Sequence, residues 1–201
     1  MPIYKPSDVN ERYFFQLFSG ALIPRPIAWI STRNEDESIN VAPYSFFSGI
    51  NTRPPMVMVS IGTHENELKH TSANLQRTKE CVIHIPSVEH IDAVNKTAHK
   101  YEPFVSEVDK AKLTMVSSDQ VQTPSIAGTH VRLECTLHQM IPLPTNQMFL
   151  LDVQALYIEE SVMSNGIPDV KKLNPLSRIG GNFYTGVGEV FQKIHPDKEE
   201  S

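Results

Sequence analysis

The stretch PRPIAWISTRNEDESINVAPYSFFSGINTRPPMVMVSIG, from Pro24 to Gly62, leaves the chain little choice of local structure. Ile27 to Ile30 reads as a buried strand, and Asn34-Glu35-Asp36-Glu37-Ser38 is turn chemistry, so Ile39 to Pro43 runs back as its partner. Met56 to Ile61 is too β-branched for a helix, and Pro54-Pro55 and Gly62 bound it too closely. Between these strands, Asn40-Val41-Ala42-Pro43-Tyr44-Ser45-Phe46-Phe47 crowds amide, hydroxyl and flat rings into an aromatic-serine turn at a strand end. Such a mixture suits a planar heteroaromatic ligand whose edge must be hydrogen-bonded.

The remainder extends this pattern. Ser7 or Asp8 is placed to cap a helix over about 8–18 whose apolar stripe is Tyr13, Phe14, Leu17 and Phe18, with Gly20 ending it. A polar stretch runs from Thr63 to His70. Thr71 then caps a second helix through about Gln76. Glu80 to Ile85 is a strand closed by Pro86, Val88 to Ala98 has helical spacing, and Tyr101 to Lys112 is loop with a short helix. Long strands from Ile126 to Gln139 and from Met148 to Ile158 flank the turn Pro142 to Asn146. Strands outnumber helices and no βαβ order is present, which predicts a mainly β, Greek-key barrel with a few appended helices. With no linker or repeat to divide it, residues 1–201 read as one domain, its barrel over about 22–190.

Composition narrows the function classes. At 40% hydrophobic and 20% charged, the 201 residues can bury a good core. A net charge of −5 speaks against nucleic acid, which requires a basic footprint. The N-terminus lacks a signal-peptide apolar region and no run approaches the ~18 residues of a membrane span, so a cytoplasmic protein with no membrane contact is expected. Cys81 and Cys135 lie in strand-like runs without a CxxC, as buried reduced thiols do. The eight histidines form no metal signature, and no nucleophile elbow is present.

Three places hold chemistry worth weighing. In Lys69-His70-Thr71-Ser72-Ala73-Asn74, a helix start, a cation and two hydroxyls are equipment for one phosphate monoester. From the spacing alone, a plain capped surface helix with a solvated lysine is the simpler reading. Arg25, fixed between Pro24 and Pro26, serves an ion pair, a phosphate or a subunit contact; Trp29 reads as core. Arg178-Ile179-Gly180-Gly181-Asn182-Phe183-Tyr184 permits a close backbone approach, to another element or to a ligand. His130, beside Gly128-Thr129, reads as a structural histidine.

Three blocks in this order, RPIAWIST with INVAPYSFF and RPPMVMVSIG, then KHTSANLQRTKECVIHI, then LSRIGGNFY, resemble the flavin reductase-like family of FMN-binding split β-barrels, which includes flavoredoxin. The resemblance runs from about Leu22 to Val190. It implies FMN as cofactor and reverses the reading of the second block, which such proteins use for the FMN phosphate: Lys69, Thr71 and Asn74 here. The ring is then expected along Asn40, Ala42, Pro43, Ser45 and Phe46, with Arg25, Ser31, Thr32, Ser60 and Arg178 as further cofactor contacts. Because FMN carries the chemistry, no catalytic acid, base, nucleophile or metal ligand is expected. The implied activity is electron transfer from a reduced nicotinamide or small redox protein, through FMN, to free flavin or another small acceptor. An electron-relay or sensing module without nicotinamide turnover is the alternative, and a cofactor-free barrel a third. A homodimer with each FMN near the shared interface is also implied. One departure is the hairpin tip, where the family usually has glycine and this chain has Glu37.

Overall fold

A computed structural model describes residues 1–63, 67–99, 101 and 106–193. Its main sheet has seven strands: β1 (Ala28–Arg33), β2 (Ile39–Tyr44), β3 (Phe47–Thr52), β4 (Pro55–Gly62), β5 (Glu80–Ile85), β6 (Val131–Pro142) and β7 (Asn146–Ile158). They run in the order β2-β1-β5-β6-β7-β4-β3, every neighbour antiparallel. β2 and β3 stand at opposite ends of this order, yet only Ser45 and Phe46 connect them. Two residues cannot cross an open sheet, so the sheet must curl until its ends meet. Register shifts between Leu150 and Leu151 and between Val153 and Ala155 help the long β6–β7 pair to bend. The ends meet without pairing. The result is a barrel split along one seam, and the Ser45–Phe46 turn crosses it.

Alternation along the strands sorts the side chains into two cores. Ala28, Ile30, Val57, Val59, Ile61, Ile83, Phe149 and Leu151 point inward and meet Leu75 from helix α2 (His70–Thr78). Cys81 and Cys135 lie opposite each other in this interior, both buried free thiols. On the outer face Ile27, Trp29 and Val41 pack with Val94 of helix α3 (Ile91–Thr97), Ile126 and Leu176. Trp29 has no exposed surface, and its indole N–H donates to Thr97 Oγ1 at 2.9 Å.

Several boundaries differ from the sequence expectation, each for a local reason. Helix α1 spans Glu11–Ala21, because Asn10 caps it by accepting from the Tyr13 amide at 2.8 Å; Ser7 and Asp8 belong to a separate 3-10 turn. β3 was not expected. Its Ser48, Gly49, Asn51 and Thr52 have no apolar alternation, and pairing to β4 on one side keeps it extended. The strand foreseen from Ile126 begins at Val131, since Gly128 turns the chain at φ +76°. Lys69, not Thr71, holds the cap position of α2. The Thr63–His70 stretch and the Tyr101–Lys112 segment fall partly outside the described residues, with helix α4 (Glu107–Ala111) closing the latter. At the β1–β2 tip Glu37 takes φ +64°, the left-handed conformation that favours glycine, and pairs with Arg33 at 3.0 Å.

The segment from Ser117 to Ile126 lies as a strap across the outer face. Glu80 accepts from the Thr123 amide and hydroxyl at 2.8 and 2.9 Å, and Glu134 accepts from the Asp119 and Gln120 amides. Ser31 donates to the Pro124 carbonyl at 2.7 Å. His84 accepts from the Ile126 amide at Nε2, so its Nδ1 carries the proton and donates to the Trp29 carbonyl. Burial holds the imidazole neutral, its pKa pushed down to about 4.

Candidate functional site

Helix α2 begins at the seam end of the barrel with no side-chain cap among the described residues. Lys69 precedes it in extended conformation, and no side-chain cap bond to the first amides is found among the described residues. Its N-terminus therefore presents open N–H groups and the positive end of the dipole. The Lys69 ammonium lies 5.5 Å from the centre of the Tyr44 ring, and burial lowers its pKa. Among the described residues no carboxylate comes within ion-pair distance of it. Tyr44 is buried, which pushes its phenol up to about 12, and it donates to Thr71 Oγ1 at 3.0 Å.

Beneath that helix start the polar residues bond to one another. Asn40 Nδ2 donates to Thr32 Oγ1 at 3.2 Å and to Thr71 Oγ1 at 2.9 Å. Asn74 Nδ2 donates to Thr32 Oγ1 at 3.1 Å and to Asn34 Oδ1 at 2.8 Å. All four of Thr32, Asn40, Thr71 and Asn74 are at most 5% exposed. They fix α2 onto the β1–β2 hairpin and so aim its N-terminus, standing behind the surface a ligand would touch. Ser31 is not brought to this cluster; it faces the strap on the other side of the sheet.

The second cluster sits where the turn crosses the seam. Pro43, Ser45 and Phe46 are half-buried there, and Ser60 joins through its amide, which donates to the Phe46 carbonyl at 2.8 Å. Ala42 packs against the barrel interior. Arg25 and Arg178 stand opposite each other on a short antiparallel pairing. Arg25 donates from Nε to Ser45 Oγ at 3.3 Å and from Nη1 to the Ser19 and Leu22 carbonyls, with its guanidinium 5.7 Å from the Phe46 ring centre. Arg178 donates to the Tyr184 hydroxyl and the Gly181 carbonyl and lies 4.5 Å over the Tyr184 ring. A notch of about 40 Å³ opens between Pro43, Tyr44, Ser45, Arg178 and Tyr184. Burial first, then the charge of Arg178, lowers the Arg25 pKa.

The glycine pair proves to serve another element: Gly180, at φ +99°, lies so close to α1 that a Cβ would stand 3.3 Å from Gly20 Cα. His130 lies elsewhere, bridging Glu159 at 2.7 Å and Glu89 at 3.0 Å. Among the described residues no three His, Cys, Asp or Glu side chains group as metal ligands. Two side chains near the helix start escaped the sequence reading. Tyr44 was passed over as one ring among several, although its place in the Asn40–Phe47 turn was a signal. Glu107, whose carboxyl burial raises in pKa against the opposing influence of His70, comes from α4 with no spacing to betray it.

Comparison with known proteins fits this geometry. Residues 19–184 match the family described as flavin reductase like domain. Component B of nitrilotriacetate monooxygenase from Bacillus cereus is 31% identical, with 96% of this chain and 98% of that one covered at a TM-score of 0.93. Two more distant structures share the fold. A candidate flavin reductase with a split barrel domain from Shewanella frigidimarina is 15% identical, covers 97% and 99%, and superposes at 0.85. An FMN-binding protein from Thermus thermophilus with bound p-hydroxybenzaldehyde is 19% identical, covers 96% and 100%, and superposes at 0.76. The mainly β split barrel with few helices that the sequence pointed to is the fold of this chain.

Proposed function

From the premise that this chain belongs to the flavin reductase-like family and has a flavin-related redox function, we propose that its flavin is FMN. The phosphate is seated at the start of α2 by Lys69 and the open amides, and the ring lies along Pro43, Ser45 and Phe46. The observation that carries this reading is a helix start with no side-chain cap and a lysine without a carboxylate partner among the described residues, set beside Tyr44 at the end of β2. Bound FMN supplies hydride acceptance and electron transfer; the chain supplies position, shielding and charge. Lys69 and the α2 dipole hold the phosphate dianion. Thr32, Asn40, Thr71 and Asn74 keep that helix end aimed. Pro43 offers a face with no amide hydrogen, and Ser45 offers a hydroxyl to the ring edge.

The electron donor is a reduced nicotinamide or a small redox protein, and the acceptor free flavin or another small molecule. Anaerobic addition of NADH or NADPH to the yellow holoprotein tests this: bleaching of the flavin band supports a nicotinamide-dependent oxidoreductase. A band that stays oxidised with both favours an electron relay. We also propose a homodimer. Tyr13, Phe15 and Phe18 on α1 are each more than 40% exposed, Phe183 is 70% exposed, and the outer edge of β3 pairs with no strand among the described residues. A second copy covers these surfaces at the seam, where the flavin lies. Sedimentation of the holoprotein as a 22.6 kDa monomer contradicts this assembly.

A further inference from the structure

Arg25 and Arg178 are two cations held side by side with no carboxylate at ion-pair distance of either among the described residues. Like charges so placed repel, and the Arg25 pKa is lowered first by burial and then by this repulsion. Their protein partners are neutral: carbonyls, a serine hydroxyl and a phenol. Each guanidinium has more N–H groups than these partners accept from, and its planar fork matches an oxyanion. The arrangement is nonetheless rigid. Arg25 is tied to the end of α1 and to Ser45, Arg178 is stacked on Tyr184, and Gly180 locks the bend onto Gly20. Arg178 borders the notch beside Pro43 to Ser45 and Arg25 bonds to Ser45 on its rim, whereas the open amides of α2 and Lys69 form a separate positive focus beyond Tyr44.

FMN has one phosphate, and the start of α2 takes it on the reading above, on which this inference rests. We propose that Arg25 and Arg178 form a second anion site, which seats not the flavin but the oxyanion group of the co-substrate. That group is either the pyrophosphate of a dinucleotide donor or the carboxylate of a small acid. Both chemistries bring two or more oxygens within reach of two forks, and the adjoining notch leaves the attached planar group beside the ring wall.

The test compares flavin-loaded wild type with Arg178→Gln, a shorter polar side chain without the charge. If the source is a dinucleotide, the KM for NADH rises about tenfold or more at near-unchanged kcat, the range for losing a charge-assisted hydrogen bond. Oxidation of 1-benzyl-1,4-dihydronicotinamide, which has no phosphate, then keeps its wild-type rate. If the source is a carboxylate, benzoate perturbs the wild-type flavin spectrum with an affinity that falls by a similar factor in the variant, while NADH is unaffected. Arg178→Lys restores part of either loss. Unchanged affinity for both probes overturns the proposal, and so does a comparable fall in FMN affinity, which returns the arginines to the flavin. Failure of the flavin reading shows separately, as a wild type that takes up no FMN. Calorimetric titration with pyrophosphate then still decides: about tenfold weaker binding by Arg178→Gln supports the pair, and equal binding overturns it.

Discussion

Two polar regions flank the same sheet, and they differ in whether their donors find acceptors inside the protein. Under the strap from Ser117 to Ile126, Glu80, Glu134, His84 and Ser31 are each engaged with backbone groups of the strap or of β1. At the seam, the amides of α2, Lys69 and the two arginines keep donors that no described carboxylate answers. Both regions are rich in charge and hydrogen-bonding groups. Only at the seam do a helix start and three cations face no carboxylate among the described residues. Buried polar groups that saturate one another stabilise a fold, while rigid donors left open are the signature of a binding surface.

The comparison breaks if changes under the strap act on ligand binding, or changes at the seam act on stability. The largest effect is expected for Glu134→Ala, which removes the buried charged acceptor that holds the Asp119 and Gln120 amides of the strap. Urea unfolding should show a loss of about 3–5 kcal/mol, with the flavin affinity of the folded fraction unchanged. Next comes acid. With the folded His84 pKa near 4 and an ordinary value of 6.5, the unfolded chain binds this proton first as pH falls. Its contribution is complete above about pH 6.5 and is lost toward pH 4, up to about 3 kcal/mol. A wild-type protein as stable at pH 4.5 as at pH 7 contradicts that. Lys69→Ala should weaken FMN by about 1–3 kcal/mol in fluorescence titration while its unfolding midpoint stays put. The smallest effect concerns Glu37 on the hairpin that both regions share. Glu37→Val should cost about 1 kcal/mol for a β-branched residue at positive φ, while Glu37→Gly stays within about 0.5 kcal/mol of wild type.

The same contrast explains what was legible in the sequence. Alternation and turn residues announced β1, β2, β4 and β5 because local pattern and burial agree there. β3 was hidden, since Ser48, Gly49 and Asn51 are extended only through pairing with β4. The cap of α1 moved from Ser7 or Asp8 to Asn10 because several cap-forming residues compete within one turn of sequence. At the seam, Lys69 and the two arginines could be named from their local sequence and the resemblance. That Thr71 and Asn74 face inward, that Ser31 serves the strap, and that Gly180 packs on Gly20 depends on contacts between segments far apart in the chain. Sequence spacing carries no such information.

The central claim is that the start of α2 is open in order to hold a phosphate. The most direct measurement is a pair of titrations, FMN against riboflavin, carried out on wild type and on Lys69→Ala. The two ligands share the ring and differ in the phosphate alone, so their affinity ratio isolates that group. The account predicts a wild-type preference for FMN of about tenfold or more, largely lost in Lys69→Ala, with riboflavin affinity equal in both proteins. Equal binding of FMN and riboflavin by the wild type, or a preference that survives the loss of Lys69 intact, would contradict it.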